Sequence, residues 1–456
     1  MTAMNLPKAC HGPAIELPPP LPSTKYNSWG RYPRVQHHTV YQVDWTDQIQ
    51  SILNNSSSAG CLAFGLGRSY GDSCLNAGRN LIDCSRLNRI MSFDRQFGLI
   101  TCEAGTSLAE ILQIAVPAGW FLPVTPGTKS VTVGGAIAND VHGKNHHRSG
   151  TFGLHVKRLI LCRSDRGILE CGAHLNEDLF RATIGGLGLT GIILSAEIAL
   201  KPITSDGIEL EVIPFESLAE FQALSAASDA DFEYTVAWID CLSGRYLRGI
   251  FSRGNHAKSG HLPREYKPGP GSSLDIPSFM LNRWTAKMFN SAYFHWNAMR
   301  NSSVSIHFDP FFYPLDSIRR WNFAYGSSGF LQYQCVIPGA SCLAAGELIK
   351  QAARRNSGPF LAVLKRLGGL TSPGMLSFPR PGLTLALDFP MQGERTLHNL
   401  GLLDQIVMEC RGAVYPAKDA RMSPEVFDSS FPGWRRFRPY IDPVMSSSFW
   451  RRVTRS

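Results

Sequence analysis

The sequence GLGRSYGD at residues 65–72 decides the fold. It follows an apolar run at residues 61–64 and places three glycines within eight residues. Because glycine has no Cβ, the backbone can pass close to an anion and turn successive N–H groups toward a pyrophosphate. We interpret the stretch as a phosphate-binding loop, although a simple glycine-bearing turn would explain it equally well when it is taken alone.

Two further glycine-rich stretches follow along the chain. PGT at residues 126–128 precedes TVGGAIA at residues 132–138, and GGLGLTG occupies residues 185–191. The last contains a G-x-G-x-x-G pattern, which indicates a Rossmann site only when a strand precedes it and a helix follows it. Here residues 178–183 are predicted to be a helix and residues 192–194 a strand. This reversed order argues against NAD binding in the Rossmann manner.

The chain has 456 residues, which is too long for one ordinary domain. We expect an arm at 1–27, an α+β lobe at 28–202, a second lobe at 203–410 and a separate segment at 411–456. Hydrophobic periodicity predicts strands at 81–83, 99–103, 156–162, 191–200, 234–241, 330–337 and 383–389. It predicts helices at 107–118, 176–183, 341–356 and 393–410.

Two segments of the second lobe differ from their surroundings. Residues 259–277 are rich in Pro, Gly and Ser, and they predict a long loop. Residues 281–301 predict a helix with aromatic side chains, among them Trp284, Phe289, Tyr293 and Trp296. Either this helix packs on its own domain, or it serves as a lid or touches a membrane.

Composition restricts the class of protein. The formal net charge of +9 is compatible with an anionic substrate or an acidic membrane surface, or with a mildly basic surface that has no specific partner. No nucleic-acid-binding module is present. The 11 cysteines show no C-x-x-C pair, so we expect free, buried thiols in a reducing compartment. Without a secretory signal or a membrane-spanning run, a cytoplasmic protein is expected, with a peripheral membrane position as the alternative.

With these three glycine blocks, the sequence resembles the vanillyl-alcohol oxidase family of FAD-binding proteins. The three glycine blocks stand where that family wraps FAD. The runs DVHGKNHH at 140–147, FLQYQ at 330–334 and YPAKDAR at 415–421 resemble the decaprenylphosphoryl-β-D-ribose 2-oxidase subgroup. The resemblance implies an α+β fold, with an FAD-binding domain of two subdomains at 28–202. It also implies a substrate domain at 203–410, built on an antiparallel sheet with flanking helices, and a segment at 411–456 that returns to the FAD domain.

The resemblance also implies the residues that hold the cofactor. FAD is expected to be bound noncovalently, because the first glycine loop lacks the histidine that tethers flavin in many relatives. The implied cofactor-binding residues are Gly65, Leu66, Gly67, Arg68, Ser69, Tyr70, Gly71, Asp72, Ser73, Gly127, Thr132, Val133, Gly134, Gly135, His142, Gly143, Lys144, Asn145, Ile193 and Tyr415.

Oxidation of an alcohol needs a hydride acceptor, which flavin supplies, and a group that takes the hydroxyl proton. The resemblance implies that His142 and Lys418 face the hydroxyl and the flavin. The implied substrate-binding residues are Lys144, Trp238, Tyr313, Gln332, Gln334, Lys365, Thr384 and Ala386. Three histidines between residues 142 and 147 also suggest a metal, but no carboxylate or cysteine has ligand spacing nearby, so no metal is expected.

The chain departs from the subgroup at two of these positions. Thr384 and Ala386 stand where the subgroup carries an asparagine and a cysteine that face the flavin. The loss of the thiol should not abolish hydride transfer, but it changes the pocket wall. Residues 259–301, where a lipid tail would lie, also match the subgroup poorly. Both departures leave the identity of the substrate open.

Three functions remain in competition. The first is FAD-dependent oxidation of a secondary sugar hydroxyl to a ketone, at C2 of a polyprenyl-phosphate-linked pentose, with an NADH-dependent short-chain reductase completing an epimerisation. The second is an aldonolactone or free-sugar oxidase that uses dioxygen. The third is a non-catalytic protein that binds prenyl-linked sugars, against which the intact glycine blocks argue.

Overall fold

A computed structural model describes residues 21–56, 60–242, 247–263, 265, 283–299, 303–318, 320–354 and 361–455. Most of the expected arm, residues 1–20, and most of the expected loop at 259–277 lie outside these residues. Helices and strands alternate along the chain, which confirms the α+β class. Within the described residues, no helix is both long enough and apolar enough to cross a membrane.

The first lobe contains three small sheets. Its strands are β1 (Val40–Gln42), β2 (Cys61–Phe64), β3 (Asn80–Asp83), β4 (Ile90–Asp94), β5 (Leu99–Glu103), β6 (Trp120–Phe121), β7 (Val156–Arg163), β8 (Gly167–Gly172), β9 (Ile192–Ala199) and β10 (Lys201–Pro202). Strands β1, β3 and β2 form a parallel sheet, and β4, β5, β9, β7 and β8 form an antiparallel one. Strands β6 and β10 pair with each other.

Five helices complete this lobe: α1 (Asp47–Asn55), α2 (Leu108–Ala115), α3 (Val133–Ala138), α4 (His146–Ser149) and α5 (Glu177–Thr183). Helix α5 precedes the G-x-G-x-x-G pattern and β9 follows it, which confirms the argument against a Rossmann site. Helix α2 starts where the sequence favours it, because Ser107 and Glu110 form a capping box that satisfies the first backbone N–H groups.

The second lobe is built on one antiparallel sheet of eight strands. They are β11 (Gly207–Phe215), β12 (Tyr234–Asp240), β13 (Arg248–His256), β14 (Ser303–His307), β15 (Phe330–Ile337), β16 (Ala362–Leu367), β17 (Gly382–Pro390) and β18 (Ala413–Val414). Their spatial order is β14-β11-β13-β12-β16-β17-β15-β18. The helices around it are α6 (Leu218–Ser228), α7 (Arg283–Met299), α8 (Phe308–Phe312), α9 (Cys342–Arg354) and α10 (Glu394–Glu409).

The two faces of this sheet differ because side chains alternate along each strand. One face buries apolar side chains under α6, α9 and α10, including Phe251 and Leu385, which share a core with Leu400 of α10. The opposite face turns toward the glycine loops of the first lobe and lines a cavity. One face of the sheet therefore belongs to the hydrophobic core, and the other forms a wall of the cavity.

The last part of the chain packs against both lobes: the apolar side chains of its helices join the core of the eight-stranded sheet, and its end contacts the first lobe. It contains α11 (Pro424–Ser430), α12 (Trp434–Phe437) and α13 (Ser448–Thr454), none of which the sequence had predicted. Residues 444–446 run beside β2, where Cys61 N donates to Val444 O at 2.8 Å and Ser446 N donates to Cys61 O at 2.7 Å. Arg452 forms ion pairs with Asp72 and Asp419.

Candidate active site

A cavity of about 1480 Å³ lies between the glycine loops and the open face of the eight-stranded sheet. All three glycine blocks contribute to its wall, as do strands from both ends of the sheet. The predicted site residues on this wall are Gly65, Leu66, Gly67, Arg68, Ser69, Tyr70, Ser73, Gly127, Thr132, Gly134, Gly135, His142, Gly143, Lys144, Ile193, Trp238, Gln332, Gln334, Lys365, Thr384, Ala386, Tyr415 and Lys418.

The glycine loops need glycine for two physical reasons. A Cβ on Gly65 would lie 2.5 Å from Thr132 Oγ1, so a side chain there would displace the next loop. Gly67 and Gly188 have φ values of +61° and +74°, a conformation that residues with a Cβ rarely adopt. Thr132 in turn accepts a hydrogen bond from Gly135 N at 3.1 Å and starts α3. The loops are thus held close together with their backbone toward the cavity.

Buried polar atoms on the wall lack partners within the protein. Ser73 Oγ and His142 Nδ1 are buried and form no hydrogen bond with other described residues. Because unpaired buried polar groups are costly, they indicate a polar ligand at this place. A cavity of this size, lined by bare backbone and unpaired polar atoms, fits FAD.

Five predicted residues lie behind the wall instead of on it. A Cβ on Gly71 would lie 1.7 Å from Asp419 O, and the Val133 side chain is buried in the core of the first lobe. Asp72 pairs with Arg452, and Asn145 Nδ2 donates to Pro123 O at 2.8 Å. The Tyr313 hydroxyl lies 2.7 Å from Thr125 Oγ1. These contacts support the wall, and the part of these five residues in binding a ligand stays a prediction.

His142 occupies the junction of the two lobes. Its Nε2 lies 3.0 Å from Gln334 Nε2, and Gln334 also donates to Thr384 Oγ1 at 3.2 Å. Burial, with Lys365, His146 and Lys418 nearby, holds the pKa of His142 well below its usual value. The imidazole is therefore neutral at neutral pH, with a proton on one ring nitrogen and a lone pair on the other.

The neighbouring histidines point elsewhere. His146 Nδ1 accepts from Gly368 N at 3.1 Å, and His147 Nε2 lies 2.9 Å from Phe232 O. Both therefore connect α4 to the second lobe. In the part of the chain that the structure describes, no group of three or more His, Cys, Asp or Glu residues could hold a metal ion.

Lys418 lies opposite His142 with its Nζ 3.7 Å from the centre of the Tyr70 ring. Burial lowers its pKa to about 7, Asp388 raises it in part and Lys365 lowers it further. Lys144 and Lys365 are also buried, and desolvation lowers their pKa values to about 7 and about 8. Lys144 Nζ donates to the Phe311 carbonyl.

The wall is strongly cationic on one side. Its charged side chains are Arg68, Lys144, Arg320, Lys365 and Lys418, against Asp316 as the one carboxylate among the described wall residues. Asp316 is itself engaged, since its Oδ2 accepts from Lys129 N at 3.0 Å. This excess of basic over acidic side chains favours an anionic ligand.

The other side of the wall is apolar, and the sequence analysis missed most of it. The strand residues are Leu210, Val212, Val236, Ile250, Ile306 and Val363, and Phe289 and Tyr293 of α7 cover them. Tyr293 packs edge-on against Trp238, with ring centres 4.9 Å apart. Alternation along the predicted strand at 234–241 would have placed Val236 beside Trp238 on one face, but nothing in the sequence showed which strands lie next to each other.

Comparison with known proteins gives the family. The model of the FAD binding domain matches residues 38–172. The chain is 36% identical to the decaprenylphosphoryl-beta-D-ribose oxidase of Mycolicibacterium smegmatis, over 95% of this chain and 98% of that protein. This chain belongs to the vanillyl-alcohol oxidase superfamily of FAD-binding proteins. The expected resemblance, the FAD cofactor and the class of FAD-dependent oxidoreductase are thereby confirmed.

Other members of the superfamily are more distant. An uncharacterized protein from Streptomyces coelicolor is 29% identical over 76% of this chain and 99% of its own length. The L-gulonolactone oxidase of Mus musculus is 25% identical over 39% of this chain and 40% of its own length. Within the superfamily, flavin supplies the hydride acceptor. Noncovalent attachment of FAD stays a prediction for this chain.

Proposed function

We propose that this protein oxidises a secondary hydroxyl of a sugar to a ketone, at C2 of a pentose linked to a polyprenyl phosphate. One observation carries the proposal: the same cavity has a cationic side, with Lys144 and Lys365, and an apolar side under α7. A phosphate would match the first and a prenyl chain the second. The similarity to a decaprenylphosphoryl-beta-D-ribose oxidase supports the same substrate class.

Lys418 and His142 have different roles at the substrate hydroxyl. The Lys418 ammonium donates to the substrate oxygen and holds it near His142. The neutral His142 imidazole would take the hydroxyl proton, and FAD, when bound, would supply the hydride acceptor that turns the alcohol into a ketone. Gln334 keeps the imidazole in place through its contact with Nε2. Thr384 and Ala386 shape the wall beside it without taking part in proton transfer.

The second candidate is an aldonolactone or free-sugar oxidase. It is favoured by the likeness to L-gulonolactone oxidase, which covers 39% of this chain. A neutral lactone, however, would leave buried cations such as Lys144 and Lys365 without a counter-charge. The cationic side of the wall therefore favours the phosphate-bearing substrate.

The test is anaerobic reduction of the bound flavin by candidate substrates. Polyprenyl-phosphate pentoses should bleach the visible flavin band, whereas free pentoses and aldonolactones at the same concentration should not. A 2-keto product identified by mass spectrometry would support oxidation at C2. Bleaching by aldonolactones alone, or by free sugars as fast as by the lipid-linked pentose, would overturn the proposal.

We further propose that a separate NADH-dependent short-chain reductase reduces the ketone and completes an epimerisation. A ketone next to the phosphate-bearing carbon is a suitable acceptor for hydride from NADH. When such a reductase is added to the turnover assay, NADH should be consumed only if both proteins and the pentose are present. NADH consumption without this protein would contradict the proposed order of steps.

We also propose that the protein contacts a membrane surface peripherally through α7. The outer side of α7 exposes Met288 and Met299 to 73% and 78%, next to the mouth where Phe289 lines the cavity. Flotation with vesicles that contain phosphatidylglycerol should carry the holoenzyme along, and Met288→Asp with Met299→Asp should reduce this. Met91→Asp, at a residue 61% exposed on β4, is the control. Equal flotation of all three proteins would exclude α7 as the contact.

A further inference from the structure

Asp140 is a buried carboxylate two residues before His142, and the proposed mechanism gives it no role. Its backbone has a φ of +40°, which is uncommon for a residue with a Cβ and is found in tight turns. Its Oδ1 accepts a hydrogen bond from Gly153 N at 2.8 Å. Its Oδ2 accepts from the hydroxyls of Ser372 and Ser377. The carboxylate therefore joins a turn of the first lobe to a loop of the second.

The two serines belong to the connection between β16 and β17, which lies close against the first lobe. A Cβ on Gly374 would be only 2.5 Å from Ile184 O, so the backbones of the two lobes are in contact there. Met375 N donates to Arg181 O at 3.1 Å and adds a hydrogen bond between the lobes. This loop is therefore docked on the first lobe on both sides of the serine contacts.

Phe378 connects this loop to His142. It directly follows the second of the two serines, and its ring is buried with its centre 5.6 Å from that of the imidazole. The same ring stacks on Tyr415 at 4.5 Å, and the Tyr415 hydroxyl donates to Asn139 O at 3.1 Å. The Asp140 carboxylate thus fixes both the backbone that leads into His142 and the loop whose ring packs against it.

We propose that Asp140 is a positioning residue that, through Ser377 and Phe378, keeps the His142 imidazole in the orientation needed for proton transfer. The inference rests on the proposed function, because that function makes His142 the proton acceptor. Asp140 itself does not line the cavity, so it acts only through these neighbours. A misplaced base slows the reaction even when the substrate binds normally. Loss of the Ser377 hydroxyl should therefore lower the limiting rate and leave the affinity for substrate unchanged.

The first experiment compares Ser377→Ala with Ser377→Thr, which restores a hydroxyl for the Asp140 carboxylate. Flavin is reduced anaerobically by a range of concentrations of whichever sugar reduces the wild-type flavin. The limiting rate in Ser377→Ala should fall about 10-fold at an unchanged half-saturating concentration, and Ser377→Thr should recover most of it. Ser164→Ala is the matched control, because it removes a 2.7 Å hydrogen bond to another buried carboxylate, Asp442, and neither residue lines the cavity. It should react like wild type.

Two further measurements decide whether the effect passes through His142. In a His142→Ala background, Ser377→Ala should cause no further loss of rate, because the base that it positions is gone. The second measurement needs no substrate and records the ring-nitrogen NMR resonances of His142 in holoenzyme with isotopically labelled histidine. These resonances are identified by their absence from His142→Ala. They should shift or broaden in Ser377→Ala and keep their wild-type positions in Ser377→Thr and Ser164→Ala.

Unchanged His142 resonances or an unchanged limiting rate in Ser377→Ala would overturn the inference, as would an equal loss of rate with and without His142. If only an aldonolactone reduced the flavin, the proposed pentose would be wrong. The resonances of the substrate-free protein would still decide whether Ser377 holds the imidazole in place.

Discussion

His142 has a single orientation, because Phe378 and Tyr415 pack around it at ring distances of 5.6 Å and 5.4 Å and Gln334 lies at Nε2. We expect His142→Ala and Lys418→Ala to keep the yellow colour of bound FAD, since the glycine loops make the remaining wall. Flavin bleaching by substrate should fall by about 100-fold or more, as is usual when an acid–base group is lost. Stopped-flow absorbance measures both properties.

A control at the same scale is His147→Ala. This residue belongs to the same histidine run but makes its contact with Phe232 O. In His147→Ala, substrate should bleach the flavin at nearly the wild-type rate. If His142→Ala and Lys418→Ala both bleached at full rate, the site would have been assigned to the wrong residues.

Among individual site residues, the sequence predicted best those that belong to a motif. The His142 and Lys418 motifs predicted residues that the structure brings to one cavity. Asp140 was missed, although it stands in the same motif as His142, because its two serine partners are distant in the sequence. Asp72 and Asn145 were placed in the site because their neighbours are, but sequence neighbours on a tight loop point in different directions. Only the packed structure shows which side chain faces the cavity.

Helix α7 is the element that we expect to distinguish a lipid-linked substrate from a free sugar. Tyr293→Ala removes a ring that packs on Trp238 over the apolar side of the cavity. With less apolar surface to bury, KM for a long-chain prenyl substrate should rise about 10-fold, while KM for a short-chain analogue changes little. Steady-state assays with both chain lengths in detergent measure the difference.

Met288→Ala on the outer side of the same helix is the matched control and should change neither KM in detergent. Equal rises in KM for both chain lengths would indicate that α7 supports the sugar end of the cavity instead. The sequence predicted this helix but not its orientation, because aromatic residues occur around its whole circumference. The strands show the same limit: β15 was predicted at its observed bounds and β17 to within one residue at each end, but β18 and the pairing of all three were not predicted.

The stability of the whole molecule depends on contacts between the last part of the chain and the first lobe. Arg452 pairs with Asp72 behind the first glycine loop and with Asp419 next to Lys418, at 2.6 Å and 2.9 Å. Arg452→Met would leave two buried carboxylates unpaired, which costs about 3 kcal/mol or more. Thermal unfolding of the holoenzyme should begin several degrees lower, with earlier release of FAD fluorescence. Arg435→Met breaks an exposed pair with Asp428 and a contact of the exposed Arg435 with the Trp434 ring, and it should unfold nearly like wild type.

An unchanged unfolding temperature for Arg452→Met would mean that α13 contributes little to the cofactor site. The sequence predicted a C-terminal segment but none of its helices, because short helices such as α12 owe their stability to packing and not to a long apolar periodicity. The resemblance to a known family implied the return of this segment to the first lobe; its end does contact that lobe, whereas β18 pairs in the sheet of the second.

The pairing of Arg452 with Asp72 also bears on how the protein is made. The two residues are 380 positions apart, so the first glycine loop emerges from the ribosome long before its anchor exists. At about 5–20 residues per second, synthesis of the intervening chain takes tens of seconds. During that time β2 lacks its neighbour at residues 444–446. The contacts that support the first glycine loop from behind are therefore complete only after the whole chain has been synthesised.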